Sequence, residues 1–235
     1  MTRYLTKSRF KTGLECPNKL FYTKKDEYAN QKEENPFLEA LASGGFQVEE
    51  LARLHYPNGH LIEDGQSTSY DYEQKVAETN QLLQQRNVVI YEAAFKYDNL
   101  FIRVDILEKK DNQINLIEVK AKSFKEGDKK KDVKYNSDWS LYLFDVAFQK
   151  YVIEKAHPHF SVKPFLMLAD QAQTASVDGL NQMFRIKKNT ENRTGIEKKE
   201  GQLAKLEFPK DSVLSLKDVS EIITKIETGE HRILE

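Results

Sequence analysis

Apolar and polar side chains alternate with period two along residues 101–109 and again along 114–122, which predicts two half-buried strands. Between them Lys110-Asp111-Asn112-Gln113 predicts a tight turn, because Asp and Asn tolerate the positive φ that two-residue hairpin turns demand. With the turn centred on Asp111-Asn112, facing residues have numbers that sum to 223, so Asp105 lies opposite Glu118. Lys120 then shares the face of Glu118. The other face sets Ile102, Val104 and Ile106 against Ile117, Val119 and Ala121 and is wholly apolar. The charged face has two readings. It is either the solvated side of a sheet or a cation site, since like charges placed opposite each other destabilise a sheet unless something neutralises them.

Helical spacing organises the sequence on either side. In residues 6–23, Thr6 or Ser8 caps a helix carrying Phe10, Leu14, Leu20, Phe21 and Tyr22, and Pro17 starts a second turn after Cys16. Cys16 itself reads as a small buried hydrophobe. Residues 24–35 are a polar loop. From Asn35 as cap and Pro36 at the first position, a helix runs to the Pro57-Asn58-Gly59 stop. It buries Phe37, Leu38, Leu41, Gly45, Val48 and Ala52, with Glu49 at the border of that stripe. Glu49 is either a solvated edge charge or a group aimed into a site shared with the hairpin. Gly44 and Gly45 each cost a helix about 1 kcal/mol relative to alanine, which close approach of a backbone or a phosphate would explain.

Residues 60–71 form a polar loop and 72–85 an amphipathic helix. Residues 87–97 form a strand whose odd polar member is Glu92. Ser137 or Asp138 caps a helix over 139–156 with the stripe Leu141, Phe144, Phe148, Tyr151 and Val152, leaving Asp145 and Gln149 one turn apart on an adjoining face. A strand at 162–169 follows. Beyond residue 170 the pattern predicts a strand at 182–186, a charged loop at 187–199 and a final helix at 216–228.

With 39% hydrophobic and 31% charged residues, the 235-residue chain suits a folded globular protein rather than a disordered or membrane one. No apolar run reaches membrane-spanning length and the N-terminus lacks the apolar core of a signal peptide, so the expectation is a cytoplasmic protein without a membrane partner. One cysteine excludes an internal disulfide and a thiolate cage. A net charge of −1 excludes a uniformly basic coat, so nucleic-acid contact has to come from local patches. One such patch exists: residues 120–134 carry seven lysines against Glu126, Asp128 and Asp132. It is either a solvated loop or a phosphate-contacting one, through Lys122, Lys129, Lys130 and Lys131.

The order helix, strand, strand–turn–strand, helix, strand, with these charged positions, resembles the αβββαβ core of the PD-(D/E)XK nuclease superfamily. Asp105 corresponds to its metal-binding aspartate and Glu118-Val119-Lys120 to its (D/E)-x-K tripeptide. Residues 45–52, GFQVEELA, look like the G-x-x-x-E helix of lambda-exonuclease-like members, and 145–152, DVAFQKYV, are similar to the glutamine-bearing helix of RecB-type exonucleases. The opening KSRFKTGLECPNKLFY is also similar to that of RecB-type and CRISPR-adaptation nucleases. Taken together, KSRF…CP, ELARLHYP, IYEAAF, IEVKA and DVAFQ more closely resemble an uncharacterised bacterial RecB-like domain family. The departures concern subtype. Only the first of the four cysteines of iron–sulfur members is present, so no cluster is expected. Val152-Ile153 stand where RecB-type members often carry tyrosine, and Phe46 and Glu49 where many relatives carry histidine.

The resemblance implies an α/β (α+β) restriction-endonuclease-like core with a mixed central sheet flanked by helices. That core covers residues 1–170, and 171–235 form an extension packed on it or following it. It implies a Mg²⁺- or Mn²⁺-dependent deoxyribonuclease, exonuclease-like, of bacterial DNA repair or defence. Asp105, Glu118, Val119 and Glu49 would hold the metal. Lys120 would act on water or the developing charge, and Gln149 would position a ligand or the DNA. Glu92, Asp145 and Tyr151 are secondary candidates. The alternative is an inactive nuclease-fold module that binds nucleic acid or another protein.

Overall fold

Lys110 faces Gln113 and Ile106 faces Ile117, so the hairpin forms in the predicted register. The computed structural model describes residues 3–23, 25, 27–28, 36–62, 71–127, 139–188 and 194–230, with side chains for all of these except 36–43, 188 and 194. The hairpin strands are β4 (Leu100–Lys110) and β5 (Gln113–Phe124). Asp111, first of the two turn residues, is the one of the pair that takes a left-handed φ, 52°. β3 (Asn87–Tyr97) lies antiparallel on the other edge of β4. β6 (Ser161–Asp170) runs parallel to β5.

These strands sit within a seven-stranded mixed sheet. β2 (His60–Leu61) is one edge and β9 (Leu214–Asp218) the other, in the order β2-β3-β4-β5-β6-β9. The seventh strand, β1 (Leu5–Thr6), pairs with β4 at Leu100 and Phe101. Helices flank the sheet: α1 (Lys7–Glu15), α2 (Pro17–Tyr22), α3 (Pro36–Arg53), α4 (Tyr72–Leu82), α5 (Ser140–Ala156) and α7 (Ser220–Glu227). The short α6 (Glu200–Leu203) and the two-stranded sheet of β7 (Phe184–Lys188) and β8 (Thr194–Lys198) complete the element order. No helix among the described residues is long and apolar enough to cross a membrane.

The sheet buries both faces. On the α5 side, Ile102, Val104, Leu107, Ile114 and Leu116 pack with Leu143, Val146 and Val152, with Ile223 of α7 and with Val219 just before that helix. On the α3 side, Ile106, Ile117 and Val119 pack with Leu51, Ala52 and Met167. The wholly apolar face predicted for Ile102, Val104 and Ile106 is therefore interrupted. The strand switches faces at Asp105, opposite which Glu92 adopts a left-handed φ of 58°. Ala121 also leaves the predicted wall, because the β5–β6 register shifts between Lys120 and Ser123 and exposes it.

Other expectations shift for local reasons. Leu214 and Leu216 alternate with Ser215 and Lys217, so the predicted start of the final helix is strand β9, and α7 starts at Ser220. β8 occupies part of the predicted 187–199 loop, paired with β7. Tyr151, placed in the apolar stripe of α5, is exposed, whereas Asp145 and Gln149 are fully buried. Nothing lies within 4 Å of a Cβ built at Gly44 or Gly45, so no close approach among the described residues accounts for these glycines. Cys16 is free and half-buried. The Asn35, Ser137 and Asp138 caps and the side chains of Phe37, Leu38 and Leu41 lie outside the described residues.

Candidate functional site

The site forms where β4 has no strand along part of one edge among the described residues. The β4–β5 ladder reaches Ile106–Ile117, and β1 pairs with β4 only at Leu100 and Phe101. In the gap between them, the main chain of β4 and β5 turns to side chains for partners. Asp105 Oδ2 accepts from the Val119 amide at 2.8 Å, and the Arg103 carbonyl accepts from Lys7 Nζ at 3.2 Å. Lys7 is the first residue of α1, whose N-cap is Thr6, the last residue of β1. The strand pairing of β1 thus delivers the Lys7 ammonium into the fork.

That ammonium bridges the two carboxylates of the hairpin. It lies 3.1 Å from Asp105 Oδ1 and 3.1 and 3.0 Å from Oε1 and Oε2 of Glu118. Lys120 also donates to Glu118 Oε1. Gln149 Nε2 reaches from α5 to Glu118 Oε2 at 2.8 Å and to Asp145 Oδ1 at 3.2 Å. Lys11, one helical turn after Lys7, stands 3.0 Å from Asp145 Oδ2. The stack of Phe10 on Phe148, 4.4 Å between centroids, fixes α1 against α5 and so fixes these distances. Three carboxylates, Asp105, Glu118 and Asp145, thus meet three ammonium groups, Lys7, Lys11 and Lys120.

Proton affinities follow from burial and these neighbours. Burial pushes the Glu118 carboxyl up, but Lys120, Lys7 and the Gln149 amide outweigh it and hold the group well below the usual carboxylate range. Burial and the nearby Glu118 charge raise Asp145 to about 6 despite Lys7 and Lys11. Burial lowers Lys7 and Lys120, yet the surrounding carboxylates raise both overall. The Gln149 Oε1 atom is buried without a hydrogen-bond partner among the described residues.

Glu49 and Glu92 belong to a neighbouring cluster. Arg53 pairs with Glu49 one turn earlier on α3, with Glu50 at 2.7 Å and with Glu92 at 3.4 Å. Arg103 holds the other oxygen of Glu92 at 2.8 Å. Burial, with the charges of Asp105 and Glu92, raises the Glu49 carboxyl to about 8, so it is largely protonated near neutrality. The charge of Asp105 is felt at Glu49, but the two are not hydrogen-bonded, and no three His, Cys, Asp or Glu side chains among the described residues gather around one point.

A hard cation would fit between Asp105 and Glu118, because their oxygens already converge on one positive charge, but only in place of Lys7. Glu49 would have to lose its proton and its Arg53 partner to join them. Of the remaining candidates, Lys122 lies over the Trp139 ring at 4.5 Å and the Tyr142 ring at 5.5 Å. The Tyr151 ring packs edge-on to Tyr97, 6.4 Å away. Lys129, Lys130 and Lys131 lie outside the described residues. Lys7, Lys11, Arg53 and Arg103 are site residues that the sequence reading did not single out. Lys7 and Lys11 lie four residues apart in the KSRFK stretch and Arg53 lies in ELARLHYP, but neither stretch marks its charged residues as facing the hairpin. No protein-family model matches the chain, and the search of curated proteins finds no significant match to it.

Proposed function

We propose that the protein is a divalent-metal-dependent nuclease that hydrolyses DNA phosphodiester bonds, built on the αβββαβ core that its sequence resembles. One observation carries the reading: Asp105 and Glu118, on adjacent antiparallel strands, direct oxygens at a single cation position 3.0–3.1 Å away, with Lys120 on the same carboxylate. Paired carboxylates at a sheet fork are the donor set that Mg²⁺ or Mn²⁺ takes, in company with water and substrate phosphate. When bound, the ion acidifies a water and offsets charge on the phosphate.

The chain's own residues have separable tasks. Asp105 and Glu118, with the Val119 carbonyl, hold the ion. Lys120 orients the attacking water or stabilises the charge that develops on the phosphate. Gln149 positions Glu118, keeping its carboxylate aimed at the fork while satisfying Asp145. Lys122 and the lysines at 129–131 contact the DNA backbone, contributing affinity that does not depend on sequence and weakens with salt.

The test is digestion of linear and circular DNA in Mg²⁺ or Mn²⁺ by wild type, Asp105→Ala and Lys120→Ala. Wild type cleaves and stops on chelation, and each variant loses about 100-fold or more, as expected when a preorganised electrostatic group is removed. Equal cleavage by all three would remove the assignment. The Lys7 bridge favours one rival, an inactive module in which the charges are purely structural. That rival predicts salt-sensitive DNA binding with no metal-dependent cleavage.

A further inference from the structure

We propose that Lys7 is a built-in counter-cation that a divalent ion has to displace, so that Lys7 sets the metal affinity of the site. The inference rests on the reading of Asp105 and Glu118 as the metal ligands. Among the described residues, Lys7 is the one cation hydrogen-bonded to both carboxylates, at 3.1 Å from Asp105 and 3.0 Å from Glu118. Mg²⁺ takes such oxygens at about 2.0–2.1 Å. An ammonium already seated against the same atoms leaves no room for it, and the two positive charges repel at this range.

Charge and geometry both single out Lys7 as the group that leaves. The cluster already balances three carboxylates with three ammonium groups, so two further positive charges favour the loss of one. Lys120 springs from the strand of Glu118 itself, two residues on, and Lys11 faces Asp145 rather than the hairpin pair. All three ammonium groups are partly open to solvent, but Lys7 alone stands at a helix start and lines a cleft of about 380 Å³. Thr6, Ser8, Glu92 and Arg103 line the same cleft, where the departing ammonium would share the Glu92 carboxylate with Arg53 and Arg103. Leaving costs Lys7 its bond to the Arg103 carbonyl as well. That bond ties α1 to β4, so metal loading and loosening of the start of α1 are one event.

Calorimetric titration of Mn²⁺ into the full chain compares wild type, Lys7→Met and Asp105→Asn. Lys7→Met is expected to bind Mn²⁺ about tenfold or more tightly than wild type, because no ammonium then competes for the oxygens. Equal or weaker binding by Lys7→Met overturns the proposal. Asp105→Asn separates that failure from failure of the metal-site reading. If it abolishes binding while Lys7→Met matches wild type, the metal site stands and the role of Lys7 falls. If it leaves binding unchanged, both fall. Hydrogen exchange on wild type supplies a second readout that does not depend on Lys7→Met folding. Saturating Mg²⁺ is expected to speed amide exchange in α1, and unchanged exchange there overturns the proposal.

Discussion

Glu49 holds its proton against the ordinary behaviour of a surface carboxyl, and this has a measurable consequence. Its carboxyl moves from 4.5 to about 8 through burial and the charges of Asp105 and Glu92, only partly offset by Arg53. The folded protein then binds this proton more tightly than the unfolded chain does. The stability it contributes is full below pH 4.5 and is lost as pH rises towards about 8. Glu49→Gln, fixed in the neutral form, lacks that loss. Urea midpoints measured across this range should show wild type falling relative to Glu49→Gln as pH increases. Parallel curves would contradict the assignment. At neutral pH Glu49 therefore joins a metal site only by releasing a proton, which couples its recruitment to pH. Single residues of this kind were half legible from the sequence. Asp105, Glu118 and Lys120 could be placed together because strand alternation and turn position leave little freedom once the register is set. Lys7 could not, because its position depends on β1 pairing with β4 across more than ninety intervening residues, a contact with no local signature.

At the scale of elements, α3 carries a stability reserve. Gly44 and Gly45 lie inside an 18-residue helix, and among the described residues a Cβ at either position meets nothing within 4 Å. Gly44→Ala and Gly45→Ala should each stabilise the fold by about 0.5–1 kcal/mol, the ordinary helix-interior difference between the two residues. Chemical denaturation checks this, and a destabilised variant would reveal a contact that the fold does not show. Helix α5 shows where pattern reading fails. Its polar positions 145 and 149 follow the same spacing as a solvated edge, yet both are buried because α1 covers that side with Lys11 against Asp145. A hydrophobic periodicity cannot distinguish water from a neighbouring charged helix as the cover of a polar face. The strand β9 escaped notice for the opposite reason. Five residues are too few for alternation to compete with the helical pattern that follows.

Across the whole molecule, the sheet is buried on both sides, and its charged site is enclosed within that burial rather than set on an open surface. Glu118 is fully buried at the junction of β5, α1 and α5. Four separate stretches of chain contribute to the cluster, and hydrophobic clusters pack on either side of the sheet that carries it. The α/β class and the succession of the main strands and helices were legible because they depend on repeated patterns, each long enough to average over single residues. How the elements close around the fork was not, since it depends on one interrupted ladder. The most direct test is a crystal grown with Mn²⁺ and measured at the manganese absorption edge. An anomalous peak is expected between Asp105 Oδ1 and the Glu118 carboxylate, with the Lys7 ammonium withdrawn towards the cleft. Lys7 still bridging the two carboxylates, with no peak between them at saturating Mn²⁺, would contradict it.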